Sequence, residues 1–173
     1  IPVTRAPSAA PTLTVPASST TGAFNVSWTA VSGAATYQLE ERLSGGSWTQ
    51  IHNAGGTSKA ISGKAFGTWE YQIRACNTGG CSAFSAVKSI SVAPPPPPVP
   101  TGLTVTQVNS EMCRVTWNAS SGATSYDVSN MGYIIDTTAG TTFNWDAQCA
   151  NPYAVRACNA YSCSAWSANA YSY

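Results

Sequence analysis

The sequence contains few charged residues, one histidine and no long apolar run. Only 9% of its 173 residues are charged, and the 8 basic side chains nearly balance the 7 acidic ones. This balance argues against a nucleic-acid-binding surface and against a polybasic face for an anionic membrane. No apolar run approaches the length of a membrane-spanning helix, so we expect no membrane insertion.

The scarce charged side chains form no recognisable catalytic pattern. Sites that need two histidines are excluded because His52 is the only one. Glu40 and Glu41 are neighbours on a predicted strand, so their side chains point to opposite faces and cannot act as a carboxylate pair. The sequence contains no phosphate-binding glycine loop and no Gly-x-Ser-x-Gly motif. We therefore predict a non-enzymatic protein with no catalytic residues and no cofactor.

The six cysteines form an even set in a small sequence that is rich in turn signals. This favours disulfide bonds and an oxidising compartment, and hence a secreted or cell-surface protein. Zinc binding is the alternative, but zinc sites use Cys-x-x-Cys pairs or several histidines. Here the closest cysteines have four residues between them, so we predict no metal. The absence of an initiator methionine and of a signal peptide predicts a segment of a longer protein.

Two stretches, residues 71–85 (YQIRACNTGGCSAFS) and 153–167 (YAVRACNAYSCSAWS), repeat nearly the same sequence. Each stretch alternates apolar and polar residues, breaks at a short polar turn and then resumes. A cysteine stands on each side of the turn. This pattern predicts a β-hairpin with a cysteine pair placed to close it.

An earlier pair of segments, residues 26–37 and 115–126, also matches. The offset between the copies is 89 residues in this pair and 82 residues in the later one. The second copy is therefore about seven residues shorter between Tyr126 and Tyr153, and losses of that size fall in surface loops or edge hairpins. The sequence thus encodes two copies of one β domain.

A proline-rich segment separates the two copies. The five consecutive prolines at 94–98 cannot join a helix or the interior of a sheet. They favour an extended polyproline II conformation and predict a semi-rigid spacer. A ligand for a proline-recognising domain is the alternative, and it fits poorly with an oxidising compartment. We predict domain one at 1–93, a linker at 94–100 and domain two at 101–173.

Short segments of alternating apolar and polar residues predict strands in both copies. Val26 and Trp28, for example, face one side of a half-buried strand. No long stretch has the period of a helix. Seven short strands per copy predict an all-β fold of two antiparallel sandwiches, with a last strand from about Ala83 to Val92 and from Ala165 onward in the second copy.

Both halves resemble fibronectin type III domains. The shared marks are a proline-led Leu-Thr-Val strand, a Val-x-Trp strand, a tyrosine that opens the third strand, and a Tyr-x-[Ile/Val]-x-Ala strand followed by asparagine. The matching residues are Val26, Trp28, Tyr37, Tyr71 and Asn77 in the first half and Val115, Trp117, Tyr126, Tyr153 and Asn159 in the second. The Ala-Cys-Asn-x-x-x-Cys-Ser variant resembles repeats of large secreted or surface-exposed bacterial proteins.

The resemblance implies strands A, B and E in one sheet and C, C′, F and G in the other. It also implies that the hydroxyls of Tyr71 and Tyr153 bond to nearby backbone. Cysteines at the ends of the F–G turns are placed to pair, and a cysteine at the position of Phe24 on strand B is placed to reach one at the E–F corner. The predicted pairs are Cys76–Cys81, Cys158–Cys163 and Cys113–Cys149.

Four aromatic residues are not clearly assigned to the core by strand phase. They are candidate partner-binding residues: Trp48, Tyr133, Tyr161 and Trp166. The alternative is that they cover local gaps in the sheets. We predict a monomeric, extracellular spacer or adhesion module that positions neighbouring domains of the same parent protein. The alternative is an accessory module of a secreted enzyme or toxin that binds a glycan or a protein.

Overall fold

Alternating apolar and polar residues form β-sheets in both halves of the computed structural model, which describes residues 4–145 and 149–171. The chain divides into two compact units, Ile1–Pro94 and Pro95–Tyr173, here called domain one and domain two. The predicted linker at 94–100 thus falls mainly in domain two. In the described part of the chain, no helix is long and apolar enough to span a membrane.

The described residues of domain one form nine strands rather than the predicted seven, because two of them are additional two-residue pieces. They are β1 (Leu13–Thr14), β2 (Ser18–Ser19), β3 (Phe24–Trp28), β4 (Thr36–Leu43), β5 (Thr49–Ala54), β6 (Ser58–Ile61), β7 (Gly67–Asn77), β8 (Gly80–Cys81) and β9 (Lys88–Val92). One sheet has the order β1-β3-β6 and the other β2-β9-β7-β4-β5, with β8 paired to β7. This is the division into A-B-E and C-C′-F-G sheets that the resemblance implied.

The core of domain one lies between these two sheets. Inward-facing positions of β3, β4 and β7 alternate with more exposed ones, as the period of two requires. Fully burying a large apolar side chain stabilises the fold by about 1.5–3 kcal/mol. The buried cluster comprises Leu13, Val26, Trp28, Tyr37, Leu39, Ile61, Tyr71, Ile73, Ala75 and Ile90.

Domain two repeats the arrangement with six strands in its described residues. They are β10 (Thr104–Asn109), β11 (Met112–Thr116), β12 (Ser125–Asn130), β13 (Tyr133–Thr138), β14 (Thr142–Trp145) and β15 (Tyr153–Cys158). The sheets have the orders β10-β11-β14 and β13-β12-β15. The core holds the counterparts of the domain-one residues, among them Val115, Trp117, Tyr126, Tyr153 and Val155.

The predicted last strands are wrong in extent. In domain one the strand begins at Lys88 rather than Ala83, and in domain two the described residues after Ala165 make only an isolated bridge at Ala170. The reason is that the amide groups of this segment that bond to the neighbouring strand recur every three residues. In domain one the amides of Ser82 and Ser85 donate to carbonyls of β7 at 2.8 Å, whereas a paired strand has a period of two.

Serine hydroxyls complete this irregular pairing. In domain one the amide of Ala75 donates to Ser82 Oγ at 3.1 Å. In domain two the amide of Ala157 donates to Ser164 Oγ at 3.0 Å, and that of Val155 to Ser167 Oγ at 3.0 Å. These side chains satisfy backbone donors that a regular strand would have satisfied with carbonyl groups. The repeated Cys-Ser-Ala-x-Ser sequence is therefore the cause of the late or missing last strand.

Most of the shortening of domain two falls in the hairpin between its third and fourth sandwich strands. In domain one, residues 42–48 connect the last paired residues of β4 and β5. In domain two, only Met131 and Gly132 connect β12 to β13. Their φ values of 52° and 83° fit a two-residue turn of type I′, which requires positive φ at both positions. Domain two therefore lacks the longer connection that residues 42–48 form in domain one.

Candidate functional site

The structure joins the six cysteines in the three pairs expected from the sequence. Cys76 bonds to Cys81 and Cys158 to Cys163, with Cα atoms 4.0 Å apart in both hairpins. Cys113 bonds to Cys149 with a Cα distance of 5.4 Å. Alternation places Cys76 on the outer face of its sheet, yet the residue is only 5% exposed.

Each clasped hairpin holds the chain segment that precedes the first strand of its domain. Asn77 Nδ2 donates to the carbonyl of Arg5 at 2.8 Å, and Asn159 Nδ2 donates to that of Pro95 at 3.1 Å. In domain one the segment lies so close that a Cβ at Gly79 would collide with the carbonyl oxygen of Thr4. The incoming segments of both domains are thus fixed by equivalent asparagine side chains.

The proline-rich run is only partly exposed. Pro97 and Pro100 are buried, whereas Pro95, Pro96 and Pro98 are exposed. The spacing of three between the buried prolines matches the three residues per turn of polyproline II. The run therefore has one buried face, and from Pro95 onward it belongs to domain two, whose Asn159 bonds to the Pro95 carbonyl.

The four candidate aromatic residues have different environments. Trp48 is partly buried, and the guanidinium of Arg42 lies 4.4 Å from the centre of its ring. Tyr133 is 75% exposed, Tyr161 is 52% exposed and Trp166 is 36% exposed. The structure places Trp48 in domain one and the other three in domain two, at separate positions: after the hairpin turn, on the clasped hairpin, and beside a groove.

This groove lies on the outer face of the β13-β12-β15 sheet. It encloses about 500 Å³, and its lining residues are Ser129, Met131, Gly132, Pro152, Ala154, Trp166 and Asn169. Ser129 and Ala154 are opposite each other on neighbouring strands, and both are buried, so they form its floor. Trp166 forms one wall, with the guanidinium of Arg156 at 4.7 Å from its ring centre.

Long polar side chains occupy the corresponding place in domain one. Gln72 Nε2 donates to Glu40 Oε2 at 2.8 Å at the positions equivalent to Ala154 and Ser129. Two pairs further along the strands, on the same face, Arg42 Nε lies 2.6 Å from Glu70 Oε2. Domain one therefore carries a polar layer where domain two has the groove.

A buried charged network in domain one escaped the sequence analysis. Glu41 accepts hydrogen bonds from Lys64 Nζ and from the Tyr71 hydroxyl, the latter at 3.1 Å. The ammonium group of Lys64 also lies 4.5 Å from the ring centre of Trp69. The burial of Glu41, which is only 8% exposed, follows from a signal in the sequence, because Glu41 shares the inward strand phase of Tyr37; its contact with Lys64 has no such signal.

The expected tyrosine contacts with backbone are not what the structure shows. The Tyr71 hydroxyl bonds to a carboxylate instead, and burial, the charge of Glu41 and this hydrogen bond raise its pKa well above the usual range. The Tyr153 hydroxyl is buried without a hydrogen-bond partner among residues 4–145 and 149–171. Burial also raises the pKa of Tyr153.

One cluster of potential metal-ligating groups exists among the described residues. It consists of Asp127, Cys158 and Cys163. Both sulfur atoms belong to one disulfide, so neither can act as a thiolate ligand. The carboxylate of Asp127 is neutralised by Arg156, whose Nη2 is 2.8 Å away. The donor set therefore suits structural pairing rather than a metal ion.

Comparison with known proteins identifies the fold. The sequence matches no protein-family model and no curated protein. A two-domain fibronectin type III segment of chicken tenascin is similar in structure, with 16% identity, 93% of this chain and 95% of that one covered, and a TM-score of 0.50.

Two further structures give lower scores. The FN1–FN3 domains of chicken CNTN1 show 16% identity and a TM-score of 0.46, covering 95% of this chain, which spans 64% of theirs. A structure titled FN3tt shows 22% identity and a TM-score of 0.40, covering 44% of this chain and 91% of that one. Together with the sheet orders, the likeness to the tenascin segment shows that the chain has the fold of two tandem fibronectin type III domains.

Proposed function

We propose that the chain is a non-enzymatic extracellular spacer or adhesion module that positions neighbouring domains of a larger secreted or surface-exposed protein. The observation that carries this proposal is the repeated anchoring of the incoming segment. In both domains, the asparagine of a disulfide-closed hairpin bonds to a carbonyl ahead of the first strand. A module that fixes the direction of its incoming chain is suited to holding a neighbour in place.

The remaining parts of the proposal rest on chemistry. Three disulfides are consistent with an oxidising compartment, where such bonds persist. The bacterial origin suggested by the cysteine-containing repeat belongs to the proposal as well. We propose a monomer whose partners are the other domains of its parent chain.

Backbone ¹⁵N relaxation tests the positioning role. We expect order parameters of about 0.85 at Ala6 and Val99, as in rigid strands, and values below about 0.6 would contradict the proposal because a flexible segment cannot fix a neighbour. Asn77→Ala should loosen Ala6 and leave Val99 unchanged. Asn159→Ala should do the reverse, so each variant is the control for the other.

An accessory binding module is the second candidate function. The groove in domain two favours it, because Trp166 lines the groove, whereas the hydrogen-bonded side chains of Gln72 and Glu40 occupy the corresponding place in domain one. This candidate is compatible with positioning, since one face of a spacer can also bind a partner. The class of that partner follows from the groove and its neighbouring strand.

A further inference from the structure

We propose that the groove of domain two and the free edge of β13 together bind an extended peptide segment of a protein partner, with one uncharged apolar side chain anchored in the groove. This goes beyond the positioning role, because it assigns a ligand class to a surface that positioning does not use. Three features support this assignment: the origin of the groove, the open strand edge and the charges around both.

The groove results from the replacement of a few side chains in the second of two duplicated domains. Its floor residues, Ser129 and Ala154, replace the hydrogen-bonded pair Glu40 and Gln72 of domain one. The two-residue turn at Met131 also replaces a seven-residue connection, so no overhanging segment covers the site. Domain one shows that the same backbone accepts a filled surface, and the sandwich therefore does not require the opening.

The strand beside the groove has an unusually apolar exposed edge. Among the described strands, β13 pairs only with β12, so its other edge is open. Tyr133 is 75% exposed and Ile134 is 52% exposed. Ile134 is opposite Ser129 in the strand register, which places its side chain on the face that carries the groove. An open apolar edge is a template for strand addition, in which backbone bonds give affinity and adjacent pockets select side chains.

The corresponding edge in domain one is polar. Strand β5 begins with the exposed residues Thr49 and Gln50, and its partly buried centre includes His52. Both edges have an irregular register against their neighbouring strand. The apolar character is thus specific to β13 and is not a general property of this edge in the fold.

The charges around the groove define the anchor. No charged side chain lines it, and the adjacent Asp127 and Arg156 neutralise each other. A charged anchor would lose water without gaining a counter-ion, which is costly. Trp166 and Met131 instead offer apolar surface of the kinds enriched at protein interfaces.

A glycan is less well matched to this lining than a peptide. Among the lining residues only Ser129, Asn169 and the indole N–H of Trp166 offer polar side-chain groups, and Ser129 Oγ already donates to the carbonyl of Ala154 at 3.3 Å. A ligand covered with hydroxyl groups would therefore leave many of them unpaired in the groove. An extended backbone, by contrast, supplies the alternating donors and acceptors that the open edge of β13 requires.

The test uses a phage-displayed library of twelve-residue peptides, selected on the intact chain and counter-selected on a filled variant. Ser129→Glu with Ala154→Gln installs the pair that domain one already carries, and its fold is checked by NMR. We expect selected peptides to be uncharged around an aromatic or aliphatic residue and to shift amide resonances of 133–138. The filled variant should weaken binding at least tenfold.

Ile134→Lys provides an independent variant, because a lysine on an edge strand opposes strand addition. It should also weaken binding at least tenfold, whereas the matched control Gln50→Lys, at the equivalent position of β5, should leave binding unchanged. The proposal is overturned if no peptide survives counter-selection, or if the filled variant and Ile134→Lys bind the selected peptides as tightly as the unmodified chain does. A glycan-array signal that the filled variant removes would assign the groove to a glycan instead. Self-association abolished by Ile134→Lys would assign the edge to a second copy.

Discussion

Within its central strand β7, domain one provides the buried Tyr71 with polar partners, whereas domain two leaves the equivalent Tyr153, at the start of β15, without a hydroxyl partner in the described residues. Glu41 is opposite Tyr71 in the strand register, and its counterpart Asn130 is opposite Tyr153. The Asn130 amide nitrogen is also buried without a partner there. The same backbone position thus carries a satisfied charged network in one copy and two unsatisfied groups in the other.

Domain two has a covalent bond near this position. Cys113 occupies the place of Phe24, whose ring packs edge-on against Tyr71 in domain one with centroids 5.9 Å apart. Its bond to Cys149 ties the strand to the corner that precedes Tyr153. The comparison shows that one end of a sandwich can be stabilised either by a hydrogen-bonded ion pair or by a disulfide. The two solutions differ in what destroys them: loss of a polar partner in one case and reduction in the other.

The largest expected difference between the domains comes from removing this disulfide. Cys113→Ala with Cys149→Ala should lower the free energy of unfolding of domain two by about 4 kcal/mol, because the closed loop of the unfolded chain gains entropy when released. Urea titration followed by NMR resonances of each domain measures the loss separately. Domain one should not change.

The matched control is the Cys76–Cys81 disulfide of domain one, which closes a short loop. Cys76→Ala with Cys81→Ala opens a much shorter loop and should cost domain one about 2 kcal/mol. Equal losses for the two double variants would contradict the loop-length argument. A loss in the unmutated domain would show that the two domains do not unfold independently.

A smaller effect separates the two tyrosines. Tyr71→Phe removes a hydrogen bond to a charged carboxylate, so domain one should lose about 2 kcal/mol of unfolding free energy. Tyr153→Phe removes a buried hydroxyl that has no partner within residues 4–145 and 149–171, so domain two should be unchanged or slightly more stable. Equal losses measured by urea titration would show that the Tyr153 hydroxyl has a partner after all.

The sequence predicts the features of this comparison that depend on periodicity and repetition. The duplication, the two sheets and the inward positions of Trp28 and Tyr71 follow from alternation and from matching the copies. The pairing of Cys113 with Cys149 required one more step, the equivalence of Cys113 with Phe24 in a known arrangement of strands. Local pattern and alignment within the chain were sufficient for all of these except the pairing of Cys113 with Cys149, which also needed the strand arrangement implied by the family resemblance.

The sequence does not predict features that depend on atoms meeting across the sandwich. The network of Glu41 and Lys64 joins a strand to a loop, and no local pattern identifies that contact. The groove is a difference between copies, visible only when Ser129 and Ala154 are compared with their counterparts across two strands. The late last strand escaped prediction because serine hydroxyls replace backbone acceptors at a period of three, as for Ser82.

The smallest expected effect is a difference in alkaline stability. Burial, the charge of Glu41 and its hydrogen bond raise the pKa of Tyr71 above the unfolded value of about 10. The folded domain therefore holds the phenol proton after the unfolded chain has released it. The resulting stability is complete below a pH of about 10 and is lost as the pH rises from there towards the folded pKa, at up to about 1.4 kcal/mol per pH unit.

Burial alone raises the pKa of Tyr153, so domain two should lose stability in the same direction but less steeply. Urea titrations at pH 9, 10 and 11 (about one unit on each side of the unfolded pKa) would measure both slopes. Tyr71→Phe should remove the steeper slope from domain one and leave that of domain two, and Tyr153→Phe should do the reverse. If Tyr71→Phe left the slope of domain one intact, another group would carry it, and the contrast between a satisfied and an unsatisfied tyrosine would not explain the alkaline behaviour.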